Sequence, residues 1–285
     1  MIPQEFEYSA PANLQEALRL LADGNAKVLA GGMSLIPLMK LRLAAPDQVV
    51  DLGRVPGLNY IREEQGAIRV GAMTTHYEVE SSPLLRGKCP LLAEAAGNIG
   101  DVQVRNVGTI GGSIAHADPA ADYPASLMAL EAKVRLVSAK SDRTLPIADF
   151  LVDTMTTAIE PGEIILELIL PVEGGGAGVS YQKLVQPASG FAIVGAAARV
   201  AKSGGKVAMA RVGITGLAAK AYRATNVEKL LEGTAGSAED VRKAAAVVAD
   251  GVDANSDLHA SADYRRHMAQ VYTARALTVA LSRTA

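Results

Sequence analysis

Apolar and polar residues repeat with two different periods along the chain, and these periods predict its helices and strands. Residues 14–21 place apolar side chains on one helix face after Asn13, which predicts a helix with Asn13 as its N-cap. Short apolar or alternating runs predict strands at 27–30, 48–52, 66–72, 133–137 and 164–170. Residues 83–99 predict one helix with an irregular start around Pro90, followed by a loop rich in Gly, Asp and Pro.

The pattern changes after a glycine run at 174–178, which predicts a linker. Strands are predicted beyond it at 179–184, 191–200 and 206–215, and helices at about 226–232, 238–249 and 262–282. Strands followed by helices are typical of an α+β architecture. We therefore expect a domain at 1–175, with subdomains of roughly 1–55 and 56–175, and a second domain at 176–285. The last predicted helix, rich in Ala and Leu, suits either the core or a docking surface.

Composition excludes several classes of protein. The chain has 28 basic and 30 acidic residues and 4% aromatics, whereas nucleic-acid binders need a basic surface and stacking side chains. Its longest apolar run, 28–39, is too short to cross a bilayer. No basic region precedes an apolar stretch at the start of the chain, so we expect no secretory signal and an intracellular protein.

Cysteine and histidine usage limits the cofactors that the chain can hold. Cys89 is the single cysteine, and the four histidines are scattered along the sequence. An iron–sulfur cluster or structural zinc site needs several thiolate or imidazole ligands. Any redox group on this chain is therefore organic, and Cys89 itself is expected to be a small buried side chain.

Two glycine-rich segments stand out as candidate ligand-binding loops. The first comprises Ala30, Gly31, Gly32, Met33, Ser34 and Leu35, and the second contains Thr109, Gly111, Gly112 and Ser113. Glycine lets backbone N–H groups approach a ligand, and successive N–H groups can form an anion-binding nest. Tight turns without a ligand are the alternative interpretation. Neither a GxGxxG fingerprint nor a P-loop is present.

The segment after the second glycine pair contains His116, Asp118 and Asp122. The carboxylates suit capping of a helix near Pro124, and they equally suit hydrogen bonds from a polyhydroxyl chain. His116 alone is typical of a surface or satisfied polar residue. Both interpretations of the carboxylates stay open on the residues alone.

These motifs together resemble the flavoprotein subunit of molybdenum hydroxylases, the family of xanthine dehydrogenase and aerobic carbon monoxide dehydrogenase. The resemblance is carried by Ala30-Gly31-Gly32-x-Ser34, Thr109-Ile110-Gly111-Gly112-x-Ile114 and Asp118-Pro119-x-x-Asp122-x-Pro124. The opening Ile2-Pro3 and Phe6-Glu7-Tyr8, the length, and Asp263-Tyr264-Arg265-Arg266 make it most similar to the medium subunits of the carbon monoxide dehydrogenase type. Met33 and Ser113 depart from residues common in that family, and an aspartate common near 189–192 is missing.

The resemblance implies an α+β fold with a two-subdomain FAD-binding domain of the PCMH/vanillyl-alcohol-oxidase type. A smaller C-terminal α+β domain with an antiparallel sheet and helices would follow. Residues 30–35 and 109–113 would wrap the diphosphate of FAD, and Asp122 would hydrogen-bond its ribityl chain. Ile165 and Leu166 would lie against the isoalloxazine, with Lys183 and Phe191 near the ring. Ordinary sheet core for the strand, and a solvent-facing Lys183, are the alternatives.

The same resemblance implies an oxidoreductase subunit whose redox chemistry belongs to FAD, with no catalytic side chain and no metal on this chain. Electrons would come from a small partner subunit with [2Fe–2S] clusters and leave to quinone or NAD. A large partner subunit would carry the molybdopterin-type cofactor and select the substrate. We expect a dimer of heterotrimers, cytoplasmic or peripheral at the inner membrane.

Two other functions remain open from the sequence. One is an FAD oxidoreductase that acts alone on a small substrate, and the other is a flavin-free assembly module. The two glycine loops disfavour a mere scaffold. If the loops hold FAD, Gly32→Val or Gly112→Val is expected to reduce FAD retention more than it unfolds the chain.

Overall fold

The computed structural model describes residues 1–22, 26–173 and 175–284. Its first elements are β1 (Glu7–Ser9), α1 (Leu14–Leu21), β2 (Ala26–Leu29), α2 (Leu35–Lys40) and β3 (Gln48–Asp51). The three strands form a parallel sheet in the order β1-β3-β2. As predicted, Asn13 caps α1, since its Oδ1 accepts the N–H of Glu16 at 2.9 Å. The buried face of α1 packs against Val50 and Leu52 in a small apolar core.

A second group of elements surrounds a larger core. It comprises β4 (Ile61–Glu64), β5 (Ala67–Gly71), α3 (His76–Ser81), α4 (Pro83–Lys88), α5 (Pro90–Gly97), α6 (Val102–Val107), α7 (Ile110–His116), α8 (Asp122–Ala129), β6 (Lys133–Val137), β7 (Asp142–Pro146), α9 (Ile147–Phe150), β8 (Leu151–Asp153), β9 (Thr156–Thr157) and β10 (Ile164–Pro171). Five of these strands form an antiparallel sheet in the order β4-β5-β10-β6-β7. The predicted strands in this region are confirmed.

The helices of this second group correct two predictions. The single helix expected at 83–99 is two helices, α4 and α5, because a residue before proline is driven out of the α region. Cys89 accordingly has φ −155° and ψ 57°, and its side chain is buried as expected. The segment expected to be a loop before residue 133 contains α6 and α7, whereas α8 agrees with the interpretation that a helix begins near Pro124.

The remaining elements form the C-terminal part of the fold. They are β11 (Ala177–Val185), β12 (Ala192–Ser203), β13 (Lys206–Thr215), β14 (Tyr222–Arg223), α10 (Thr225–Leu231), α11 (Ala238–Ala246) and α12 (Ala262–Ser282). The strands form an antiparallel sheet in the order β11-β12-β13-β14, packed against the helices, which confirms the expected α+β architecture.

The predicted linker at 174–178 holds only in part. Gly174 lies outside the described residues, and Gly178 is part of β11. A Cβ on Gly178 would lie 1.9 Å from the carbonyl oxygen of Ala280 in α12. Glycine is needed there for close packing of strand and helix, and the domain boundary near 175 stays a prediction.

Helix α8 joins the second group of elements to the C-terminal sheet. All eight of its residues are buried, and a Cβ on Gly213 of β13 would lie 1.9 Å from the carbonyl oxygen of Ala125. The apolar core around Ile68 also includes Val179 and Tyr181 of β11. Asp122, the first residue of α8, therefore sits where the two parts of the chain meet. No helix in the described ranges is long and apolar enough to cross a membrane.

Candidate functional site

The first glycine loop links β2 to α2 and presents unpaired backbone donors. Gly32 has φ +72°, the left-handed region that glycine adopts without strain. Among the described residues, no acceptor within the protein takes a hydrogen bond from the N–H groups of residues 31–35. The Ser34 hydroxyl likewise makes no side-chain cap to α2. Within the described residues this loop is therefore a run of backbone donors without protein acceptors, as its sequence predicts.

The second glycine loop differs, because its N–H groups are already used inside the protein. Ile110 N donates to Thr74 O at 2.9 Å, and Gly111 N donates to Ala72 O at 2.9 Å. Gly112 N and Ser113 N donate to Oγ1 and O of Thr109, which caps α7. The expectation that both loops offer free N–H groups is thus met by the first loop alone. To a ligand, the second loop presents the backbone of Gly111 and Gly112, which carries no side chains, and the Ser113 hydroxyl.

The two loops are nonetheless neighbours, as a shared diphosphate site requires. A Cβ on Gly31 would lie 2.1 Å from the carbonyl oxygen of Val107, two residues before Thr109. A Cβ on Gly112 would lie 3.6 Å from the Cβ of Ala30. Segments about eighty residues apart in sequence therefore converge at one place, and at Gly31 the other segment leaves no room for a side chain.

Asp122 and Lys183 form a buried ion pair at the start of α8. The Lys183 Nζ lies 2.9 Å from Oδ1 of Asp122 and also donates to the carbonyl oxygens of Asn98 and Gly190. The Lys183 side chain is 2% exposed, so the alternative of a solvent-facing lysine is wrong. The hydroxyl of Tyr181 donates to the same carboxylate at 2.5 Å. Burial raises the pKa of Asp122 to about 6, against the opposing effect of the Lys183 ammonium.

The ribityl contact predicted for Asp122 is compatible with this pairing. A carboxylate offers about four lone-pair positions. Its Oδ1 accepts from Tyr181 and Lys183, while Oδ2 accepts only the 3.1 Å bond from Lys183 within the described residues. Capacity for one further hydrogen bond remains, so the ribityl contact stays a prediction.

The preceding carboxylate has a structural role. Asp118 Oδ1 accepts the N–H of Ala120 at 2.8 Å, which stabilises the turn before α8. His116 Nε2 lies 3.9 Å from Asp118, and both side chains are about one-fifth exposed. The capping alternative is wrong for Asp118, because the N-cap of α8 is Ala121 and no side chain among the described residues caps this helix. His116 is a partly exposed polar residue.

Ile165 and Leu166 lie on β10 at an irregularity in the sheet. Ile165 pairs with Leu136 and Glu167 pairs with Arg135, so Leu166 is an extra residue without a partner in β6. Ile165 is buried in the central core, and Leu166 packs at the edge of the N-terminal core. The carbonyl of Leu166 accepts the N–H of Ala72 at 3.0 Å. This β-bulge therefore leaves Leu166 outside the regular pairing of β10 with β6.

Phe191 lies beside the buried ion pair and remains 41% exposed. Its N–H donates to the Ser189 hydroxyl, and its carbonyl accepts the N–H of Gln186. Lys183 holds the adjoining Gly190 carbonyl at 2.7 Å. A partly exposed aromatic ring is thereby carried on a turn anchored to Asp122 through Lys183.

Sequence reasoning missed three residues that build this region. Tyr181 shares one face of β11 with Lys183, and this two-residue spacing is the signal that could have identified it. Ala72 connects the bulge to the second loop through its backbone, which leaves no side-chain signal. His76 adjoins the start of the second loop, because its backbone N–H donates to the Gly108 carbonyl at 2.9 Å. Its Nδ1 is 3.1 Å from the Tyr123 hydroxyl, and burial lowers the pKa of His76 to about 4.

These residues fit the FAD implied by the resemblance. The first loop supplies free N–H donors suited to a diphosphate, without a basic side chain in either loop. Glycine at position 31 allows the two loops to approach closely. Ile165, Leu166 and Phe191 offer apolar surface, and Asp122 retains hydrogen-bonding capacity.

Similarity to known proteins agrees with this geometry. The family model of the FAD binding domain in molybdopterin dehydrogenase matches residues 4–173, and that of the CO dehydrogenase flavoprotein C-terminal domain matches 179–280. The carbon monoxide dehydrogenase medium chain of Hydrogenophaga pseudoflava is 41% identical over the full length of both chains. The 6-hydroxypseudooxynicotine dehydrogenase complex subunit alpha of Paenarthrobacter nicotinovorans is 38% identical, covering 99% of this chain and 97% of that protein.

A solved structure extends the agreement to the whole fold. The carbon monoxide dehydrogenase of Hydrogenophaga pseudoflava that lacks the Mo-pyranopterin moiety contains a chain matched with a TM-score of 0.97 and 42% identity, covering 100% of both chains. The chain belongs to the molybdopterin dehydrogenase FAD-binding family, as a medium-chain flavoprotein.

Proposed function

We propose that this chain is the FAD-binding, electron-transferring medium subunit of a molybdenum hydroxylase of the carbon monoxide dehydrogenase type. One observation carries the proposal. The loop at 30–35 presents unpaired N–H groups where it meets the glycine surface of the 109–113 loop. Full-length similarity to a carbon monoxide dehydrogenase medium chain supports the same function.

The residues of the site would divide the binding of FAD among them. The N–H groups of residues 31–35 and the hydroxyls of Ser34 and Ser113 would bind the diphosphate, because clustered donors compensate its charge. Asp122 would accept a ribityl hydroxyl, while Lys183 holds the carboxylate in place. Ile165, Leu166 and Phe191 would exclude water from the ring. Bound FAD supplies redox chemistry with one- and two-electron steps that no side chain here can provide.

Partner chains must supply the other redox centres. The chain has one cysteine, whereas an iron–sulfur cluster typically needs four thiolates. Within the described residues, no group of three or more His, Cys, Asp or Glu is placed to hold a metal. We therefore propose a small [2Fe–2S] partner subunit and a large molybdenum partner subunit. From the family resemblance we also propose a dimer of heterotrimers and quinone or NAD as the external electron acceptor.

Substrate selection is assigned to the large partner. The relatives at 41% and 38% identity belong to a carbon monoxide dehydrogenase and a 6-hydroxypseudooxynicotine dehydrogenase, whose substrates differ greatly in size. Similar medium chains with such different substrates indicate that this subunit does not bind the substrate. The full-length structural match supports the carbon monoxide dehydrogenase type.

The test uses the tagged full chain purified from cells that express its native partners. We expect stoichiometric FAD, a co-purifying chain with two four-cysteine motifs, and a larger molybdenum-containing chain, identified by mass spectrometry. Carbon monoxide should bleach the visible flavin band in the complex and leave FAD on the isolated chain oxidised. Bleaching of the isolated chain by a substrate would favour a stand-alone oxidoreductase. Absence of flavin that added FAD does not restore would refute the proposal.

A further inference from the structure

Glu167 is a buried carboxylate to which the proposed FAD site gives no role. It lies on β10 with 1% of its side chain exposed. Three donors reach it: the Tyr60 hydroxyl at 2.7 Å, Arg69 Nη1 at 2.5 Å and Arg135 Nη1 at 3.1 Å. Burial opposes ionisation, and these donors together hold the pKa of Glu167 below its usual value.

The position of this carboxylate in the sheet is unusual. Arg69 lies on β5 and Arg135 on β6, the two strands that flank β10, so one side chain links three neighbouring strands. Glu167 is also the residue at which the register of β10 against β6 resumes after the extra residue Leu166. A buried ion pair by itself contributes little net stability, because desolvation of the charges opposes their attraction. A buried polar network of this kind can instead specify one register of a strand.

The bulge is connected to the second glycine loop by two backbone hydrogen bonds. Ala72 N donates to Leu166 O at 3.0 Å, and Gly111 N donates to Ala72 O at 2.9 Å. The contact at Gly111 is tight, since a Cβ there would lie 2.5 Å from the Cβ of Ala72. A shift of Leu166 would therefore move Ala72 and, with it, the start of α7.

We propose, on the basis of the proposed function, that Glu167 is a positioning residue for FAD binding. Its carboxylate fixes the bulge at Leu166, and the bonds through Ala72 set the position of the 109–113 loop against the 30–35 loop. Glu167 touches neither loop, so it acts only through the backbone at Leu166 and Ala72. The glycine junction tolerates little displacement, because a Cβ added at Gly31 would lie 2.1 Å from the carbonyl oxygen of Val107, two residues before Thr109.

The test replaces Glu167 by Gln in the full chain, which keeps its shape and places an amide against Arg69 and Arg135. A matched control is Glu228→Gln in α10. Glu228 has 5% side-chain exposure, binds the Arg223 guanidinium with both oxygens at 2.8 Å, and accepts the Val212 N–H at 2.9 Å. Both variants lose one buried, paired carboxylate, and only one of them adjoins the bulge.

Each purified variant is titrated with FAD below its unfolding temperature, and the visible circular dichroism of bound flavin is recorded at saturation. We expect Glu167→Gln to weaken FAD binding about tenfold or more and to change the dichroism, with wild-type values for Glu228→Gln. Should Glu167→Gln fail to fold, Tyr60→Phe removes a single donor and should weaken binding in the same direction. Wild-type affinity and dichroism in a folded Glu167→Gln or Tyr60→Phe chain would overturn the positioning role alone. Absence of FAD binding by the wild-type chain would instead overturn the proposed function.

Discussion

At the scale of single residues, the glycines of the two loops differ in what they require. Gly32 needs its positive φ of +72°, so any replacement there strains the backbone whatever FAD does. Gly31 faces a backbone carbonyl that cannot move aside cheaply. Gly112 is in a helical conformation and faces the other loop at ordinary contact distance. Gly112 is therefore the better position at which to separate FAD binding from folding.

Gly112→Ala is expected to weaken FAD binding about tenfold while stability changes by no more than ~1 kcal/mol. The added Cβ would project toward Ala30 and crowd the Thr109 hydroxyl at 2.9 Å, whereas alanine itself favours a helix. FAD titration and denaturant unfolding of the full chain measure the two effects. Gly87→Ala in α4 is the control, because a Cβ there meets nothing within 4 Å. Equal FAD affinity in the two variants would argue against a ligand at the junction of the loops.

Lys183→Met is expected to destabilise the fold by about 3–5 kcal/mol near neutral pH, because it leaves a buried carboxylate without its cation. The pKa of Asp122, already raised from 3.8 to about 6, would rise further. A carboxyl group whose pKa is higher in the folded than in the unfolded chain binds its proton more tightly in the folded chain. Its contribution to the free energy of unfolding therefore falls as the pH rises from the unfolded-state pKa towards the folded-state pKa. The loss should thus be larger at about pH 8 than at about pH 5. Denaturant unfolding of the wild type and the variant at the two pH values measures this loss of stability. A loss that does not change with pH would contradict the prediction.

At the scale of elements, local sequence signals predicted the regular strands and missed the features that depend on packing. The apolar run at 164–170 predicted β10, but not the bulge at Leu166. The bulge adjoins Glu167, whose ion-pair partners Arg69 and Arg135 lie on other strands. Helix α7 contains Gly111 and Gly112, which disfavour a helix by themselves. The Thr109 cap and bonds to the backbone of Ala72 and Thr74 stabilise it. Such long-range partners leave no local pattern to read.

Gly178→Ala is expected to lower the free energy of unfolding by about 1–3 kcal/mol or more, since overpacking forces α12 away from β11. Its Cβ would lie 1.9 Å from the Ala280 carbonyl oxygen, a backbone atom. Gly175→Ala is the matched control, because Gly175 is three residues earlier and a Cβ there would meet nothing within 4 Å. Its free energy of unfolding should equal that of the wild type. Denaturant midpoints at equal slope give the comparison. Equal stability of the two variants would mean that α12 does not pack closely on β11.

At the scale of the whole molecule, the FAD-binding region and the C-terminal sheet share one interior. Val179 and Tyr181 belong to the same core as Ile68. The turn before α8 is held from the C-terminal sheet, because Thr215 Oγ1 donates to Ala121 O at 2.7 Å. The sequence pattern placed a boundary near 175, and the two family models also meet between 173 and 179. Because residues on both sides of this boundary share one core, we expect them to unfold together and not as two independent units.

A chain ending at residue 173 is therefore expected not to fold cooperatively or to bind FAD with the affinity of the full chain. It would expose the face of α8 that covers Gly213 and remove Lys183, leaving Asp122 without its cation. Circular dichroism during denaturant titration, amide exchange and FAD titration of the truncated and full chains measure the difference. Broad unfolding and fast exchange in α8 of the truncated chain are the expected results. A sharp transition together with full FAD affinity in the truncated chain would show that residues 1–173 form an independent domain, and that Lys183 is dispensable for the site.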